Sequence, residues 1–154
     1  MANEHVVLCG GAHLTSRDKV WKNAPRLDLY LGPGKTQVHL HLHRLSERLC
    51  QTLPVVAIDL LEIASYVYTA DQAITRGGTH EIDYGDRWLR NFRFEIPVRQ
   101  PEVWQRADVS TALVETLGFL SDDRYESHSQ RTKSQTPLPD TFLTSKTTPG
   151  ARRK

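Results

Sequence analysis

The sequence predicts a small α+β domain: an antiparallel sheet of a few strands packed on two main helices, followed by a disordered C-terminal tail. Three observations predict it. Two stretches, 54–75 and 107–121, carry apolar residues at helical spacing; several short runs alternate apolar and polar residues with the period of a strand; and from about residue 127 both periodicities vanish. With 154 residues, 38% hydrophobic and 25% charged, the chain has room for one cored domain and an ordinary globular composition.

The elements follow in order. Residues 5–9 form a short apolar run stopped by Gly10-Gly11, a first strand. Leu27, Leu29 and Leu31 share one face of 26–32, and Val38, Leu40 and Leu42 share one face of 36–44. The Gly32-Pro33-Gly34 turn between those two runs predicts a β-hairpin. Ser46 caps a short helix, and Pro54 suits the first turn of a long one over 54–75. On that long helix Asp59, Glu62, Ser65, Thr69 and Gln72 draw one polar stripe on an otherwise apolar cylinder. This predicts a central helix covered on most sides, with the stripe to water. Gly77-Gly78 supplies the left-handed stop. Residues 87–99 alternate again, with Phe92, Phe94, Ile96 and Val98 inward and Arg93 and Glu95 outward; Pro97 places that strand's end, or an edge, there. A helical turn at 101–104 leads to the second main helix, with Val109, Leu113, Leu117 and Leu120 on one face.

This divides the chain into a domain over 1–126 and a basic Ser/Thr/Pro-rich tail over 127–154. The tail holds six Lys/Arg and one acid, the rest 14 Lys/Arg and 17 Asp/Glu. The basic isoelectric point therefore comes from the tail, and the domain carries no nucleic-acid footprint of its own. Arg87, Arg90, Arg93 and Arg99 interleave with Trp88 and Phe92, but Asp86, Glu95 and Glu102 stand beside them, the pattern of a mixed solvent face. Cys9 and Cys50 read as free thiols. The opening residues lack a signal-peptide pattern, and Asp59 and Glu62 interrupt the most apolar stretch, so a cytoplasmic protein without membrane contact is expected.

Four constellations were candidates for chemistry. His39, His41 and His43 alternate along one strand, and a pair such as His39 and His41 can converge on a zinc ion given a third ligand. The simpler expectation is leucines inward and histidines to water. Residues 6–16, Val-Val-Leu-Cys-Gly-Gly-Ala-His-Leu-Thr-Ser, put a glycine pair after a strand, as phosphate-binding loops do, but without a following Gly-Lys-Ser/Thr. Asp59 and Glu62 lie one helical turn apart, spaced for an acid–base pair or for salt bridges. Asp71, Arg76 and Gly77 are placed to anchor the following loop or to meet a partner.

The runs 58–78, 88–104 and 109–126, with the glycine loop and the histidine strand, resemble the N-terminal region of QueC-like proteins of bacterial anti-phage defence, of the QatC type. The resemblance covers roughly residues 5–126. It implies a non-catalytic accessory domain of a 7-cyano-7-deazaguanine synthase-like protein. In such proteins a separate catalytic domain uses ATP, through a Ser-Gly-Gly-x-Asp-Ser loop, and carries a zinc-binding cysteine cluster. In the glycine loop here Cys9 stands for the first serine, His13 for the aspartate and Leu14 for the last serine, and the cysteine cluster is missing. ATP and zinc are therefore expected only in a catalytic domain outside this chain, and no catalytic residue is carried over. A truncated protein whose partner is that catalytic domain, or another protein of the same defence system, is the expectation. A stand-alone protein-interaction module and a small metal protein built on His39 and His41 are the alternatives.

Overall fold

A computed structural model describes residues 3–31, 38, 53–77 and 88–132. The strands are β1 (Asn3–Cys9), β2 (Arg26–Leu29), β3 (Arg90–Val98) and β4 (Arg124–Arg131). The helices are α1 (Lys19–Asn23), α2 (Val55–Ala73), α3 (Pro101–Trp104) and α4 (Ala107–Ser121). Helices packed on a small sheet are as expected, but the sheet's direction is not. Its four strands, in the order β2-β1-β3-β4, are all parallel. Alternation in a sequence fixes which residues share a face and says nothing of direction. Direction follows from the connections, and each pair of successive strands here has a helix between them, which returns the chain to run the same way.

The hairpin is likewise corrected. β2 pairs with β1, from Val6 opposite Arg26 to Cys9 opposite Leu29, and the bridge between Leu31 and Val38 is parallel too. The rest of that expectation, including His39, His41, His43, Cys50 and the short helix at Ser46, lies outside the described residues.

One face of the sheet carries the core. Val7 and Cys9, Leu29, the inward set Phe92, Phe94, Ile96 and Val98, and Tyr125 meet Ile63, Tyr66 and Ala70 of α2 and Trp104 of α3. Phe92 stacks on Tyr125 with ring centroids 5.4 Å apart. Each such side chain removed from water contributes roughly 1.5–3 kcal/mol. Right-handed crossovers explain the layering: β1 to β2 moves one way along the sheet and β2 to β3 to β4 the other, so α1 belongs on the face opposite α2 and α4. Accordingly Val6 of β1 and Trp21 of α1 are buried outside that core cluster, and α1 packs on β1.

α2 is rotated relative to expectation. Asp59 is buried and Glu62 nearly so, while Leu60, Ala64 and Tyr68 are exposed. Asp59 and Glu62, the charged part of the stripe, face inward because Arg99 and Trp104 offer them partners there, while Gln72 at the far end of the helix stays exposed. The helix begins after Pro54, whose carbonyl accepts from the Ala57 and Ile58 amides. It ends at Ala73, and Gly77, at φ +78°, takes the left-handed turn further on.

The boundary at 126 is also corrected. After Asp122, left-handed at φ 59°, the chain enters β4, which pairs with β3 as far as Val98 opposite Arg131. Serines at 127 and 129 occupy the inner face where aliphatic residues would have revealed a strand. Residues 133–154, the remainder of the expected tail, lie outside the described residues.

Candidate functional site: the carboxyl edge of the sheet

In a parallel sheet of this order the chain leaves β1 in one direction and reaches β3 from the other. The crevice beyond the carboxyl ends of those two strands is where such sheets receive ligands. The glycine pair singled out in the sequence stands there. Gly10 and Gly11 both have positive φ, +53° and +78°. The Gly10 amide donates to the Leu29 carbonyl at 2.7 Å, and the Ala12 amide turns back to Cys9 at 2.8 Å. A Cβ on Gly10 would lie 2.8 Å from Pro97 Cγ and 3.2 Å from the Tyr66 hydroxyl, so glycine is required twice over.

Pro97 fits for a related reason. The Thr132 amide donates to the Val98 carbonyl, so even-numbered peptide groups of β3 face β4 and odd-numbered ones face β1. β1's pairing stops at Leu8 opposite Glu95, and the N–H that Pro97 lacks falls on the side β1 has vacated. Pro97 thus marks a strand end on one side only, inside an interior strand.

The titratable groups around this edge are engaged. Asp59 accepts from the amides of Arg99 and Gln100, from Arg99 Nη1 at 2.9 Å and from Trp104 Nε1 at 3.1 Å. In this way α2 caps the start of α3 from the side. Glu62 receives Arg99 at 2.9 and 2.7 Å, and these bonds, with those to Asp59, hold the guanidinium above its ordinary pKa despite burial. Burial raises the Cys9 thiol well above its usual value and raises the Tyr66 hydroxyl, so neither is poised to ionise near neutrality.

On the opposite face the buried Glu95 carboxylate accepts from the Thr15 amide (3.1 Å) and hydroxyl (2.9 Å), from Arg93 Nε (3.0 Å) and from Gln130 Nε2 (2.7 Å). Arg93 also reaches Glu126. The expected solvent face of β3 is therefore covered by the 11–18 loop, which Glu95 straps down.

Asp71 and Arg76 converge at the other end of β3. Arg90, 1% exposed, donates to Asp71 Oδ1 (2.5 Å), to Asp123 Oδ2 (2.6 Å) and to the Ile74 carbonyl (2.5 Å). Arg76 bonds Asp123 at 2.8 Å and the Ser121 carbonyl, and lies 5.5 Å from the Trp88 ring. Among the described residues, chain neighbours aside, no atom lies within 4 Å of where a Gly77 Cβ would be. The loop these residues were expected to anchor begins at 78, outside the described residues. Sequence reasoning missed Asp123 and Glu95; the first reads as a helix end, and the second as the polar member of an alternating strand.

Among the described residues no group of three or more His, Cys, Asp or Glu is disposed to hold a metal ion, and no helix is long and apolar enough to cross a membrane. An open hollow of about 380 Å³, lined by Glu4, Lys19, Val20, Asn23, Ala24 and Pro25, lies at the amino end of β1, away from the glycine loop. No family model, no curated protein and no solved structure matches this chain.

Proposed function

We propose that this chain is an accessory domain that docks onto a catalytic partner, the role implied by its resemblance to the N-terminal region of QueC-like anti-phage defence proteins. The observation that carries the reading is the outward face of α2. Leu60 is 49% and Tyr68 68% exposed, with exposed Ala64 one turn from each, an apolar stripe on a helix whose Asp59 and Glu62 turn inward. Soluble domains seldom leave such a stripe uncovered without a partner for it. The engaged state of Asp59, Glu62, Glu95 and Arg99 supports the same reading, since these groups serve the fold. ATP use and zinc belong, in this proposal, to the catalytic partner. Cytoplasmic placement follows from the same reading.

The test is co-purification with a separately produced QatC-type catalytic domain. The wild-type chain is expected to be retained, and Leu60→Asp/Tyr68→Asp, which alters exposed positions only, to lose at least tenfold in affinity. No binding by the folded wild-type chain, or equal binding by the double variant, would sink the proposal.

A further inference from the structure

β4 is an edge strand of the sheet, and among the described residues nothing pairs with its outer side. Because the Thr132 amide points to β3, the alternation of peptide groups turns the N–H and C=O of Tyr125, Ser127, Ser129 and Arg131 outward. An eight-residue strand presenting four outward peptide groups is a template for another strand unless it is blunted. Charged and polar residues can blunt it, and Arg124, Glu126 and His128 are all exposed.

We infer that the occupant of this edge is a second copy of the chain, with the two β4 strands antiparallel about a twofold axis through Ser127. Antiparallel pairing requires the outward peptide groups to face one another, so the axis must pass through an odd-numbered residue or through the side-chain position midway between two of them. Centred on Glu126, the axis sets Glu126 against its twin; centred on His128, it sets His128 against its twin. Centred on Ser127, it sets Glu126 against the partner's His128 twice over and Arg124 against the partner's Gln130. Those residues fall at the non-hydrogen-bonded positions, where facing side chains come closest. Glu126 gives one oxygen, Oε2, to Arg93 at 2.5 Å, leaving Oε1 for the other copy. The Glu126 carboxylate accepts and a His128 ring N–H donates, so the polar side chains that would blunt the edge against a foreign strand become complementary to themselves.

The neighbouring helix agrees. α4 packs on β4 yet has no buried residue, and Phe119 and Leu120 are 88% and 73% exposed. A twofold normal to the sheet keeps both copies of α4 on one side of a continuous eight-stranded sheet, side by side and antiparallel.

Sedimentation equilibrium of the full 154-residue chain tests this. The apparent mass is expected to rise from 17.6 kDa toward twice that value as concentration reaches tens to hundreds of micromolar. Ser127→Pro removes an outward donor and no bond within the sheet, and should remain monomeric with an unchanged circular dichroism spectrum. His128→Glu, at an exposed position that carries the test even if the proline variant unfolds, should weaken association at least tenfold, and His128→Lys should preserve it. The α2 stripe is a different surface, so Tyr68→Asp should leave self-association intact, which separates this inference from the proposed partner docking. A wild-type chain that stays at 17.6 kDa throughout, or association indifferent to His128→Glu, overturns it.

Discussion

Both ends of β3 are closed by an arginine set between carboxylates, yet the two closures differ in kind. At the amino end Arg90 is 1% exposed and meets Asp123, whose side chain is wholly buried, so the pair has been taken out of water. At the carboxyl end Asp59 is buried just as fully, but the Arg99 side chain keeps 23% of its surface and can be hydrated while it bridges Asp59 and Glu62. The first closure joins three elements, since Asp71 and Ile74 come from the end of α2 and Asp123 from the turn before β4. The second joins α2 to the start of α3. A buried pair is valuable mainly because either half alone is intolerable; at the carboxyl end Arg99 can fall back on water, and Asp59 keeps the Trp104 and backbone N–H donors without it.

The sharpest way to break the comparison is Arg90→Met. Among the described residues it leaves Asp123 in the interior with only Arg76 as a cationic partner, and should lower the unfolding free energy by roughly 3–5 kcal/mol in urea titrations. A loss below that of any Arg99 substitution would show that the amino end is not the tighter closure. Asp59→Asn is the next in size. It keeps the shape but weakens bonds from Trp104, from the Arg99 and Gln100 amides and from the Arg99 guanidinium, and the same titration should show a loss of about 1–3 kcal/mol.

The smallest effect is one of pH. Burial lowers the pKa of His5 below 6.5, the nearby Arg90 lowers it further, and Glu4 pulls it partly back. The unfolded chain therefore takes up this proton more readily than the folded one. Stability is full above pH 6.5 and declines as the pH falls through that value toward the folded pKa. Melting temperature should drop between pH 7 and pH 5, and His5→Phe should flatten that drop; an identical slope in the variant would remove His5 from the account.

What was legible in the sequence followed from periodicity. The inward set Phe92, Phe94, Ile96 and Val98 and the span of α2 follow from spacing alone, and the structure contains them; of the face expected on α4, Val109, Leu113 and Leu117 pack against the core while Leu120 stays 73% exposed. Strand direction was not legible, because a turn-rich Gly-Pro-Gly stretch looks the same whether or not its flanking strands pair with each other. The orientation of α2 was misread because a polar stripe is ambiguous: it faces water unless something inside offers charge, and Arg99 lies 37 residues beyond Glu62. β4 escaped notice because its inner face carries Ser127 and Ser129, so its place in the sheet depends on pairing with β3 more than on its own composition. The glycine loop was recognised as a strand terminus, and Gly10's contact with Pro97 supplies a packing reason for glycine that no motif would have suggested.

The parallel arrangement has a consequence for the order of assembly. β1 is flanked by β2, whose first pairing residue is Arg26, and by β3, which begins at Arg90. As the chain emerges during synthesis, β1 can find its first neighbour almost at once, but the second does not exist until more than half the polypeptide has been made. Joining them closes a loop of more than eighty residues, a distant contact of the kind that slows folding. β3 and β4, by contrast, are separated by little more than α3 and α4. The chain's first strand thus waits longest for its second neighbour, and until then half of its hydrogen-bonding edge stands open.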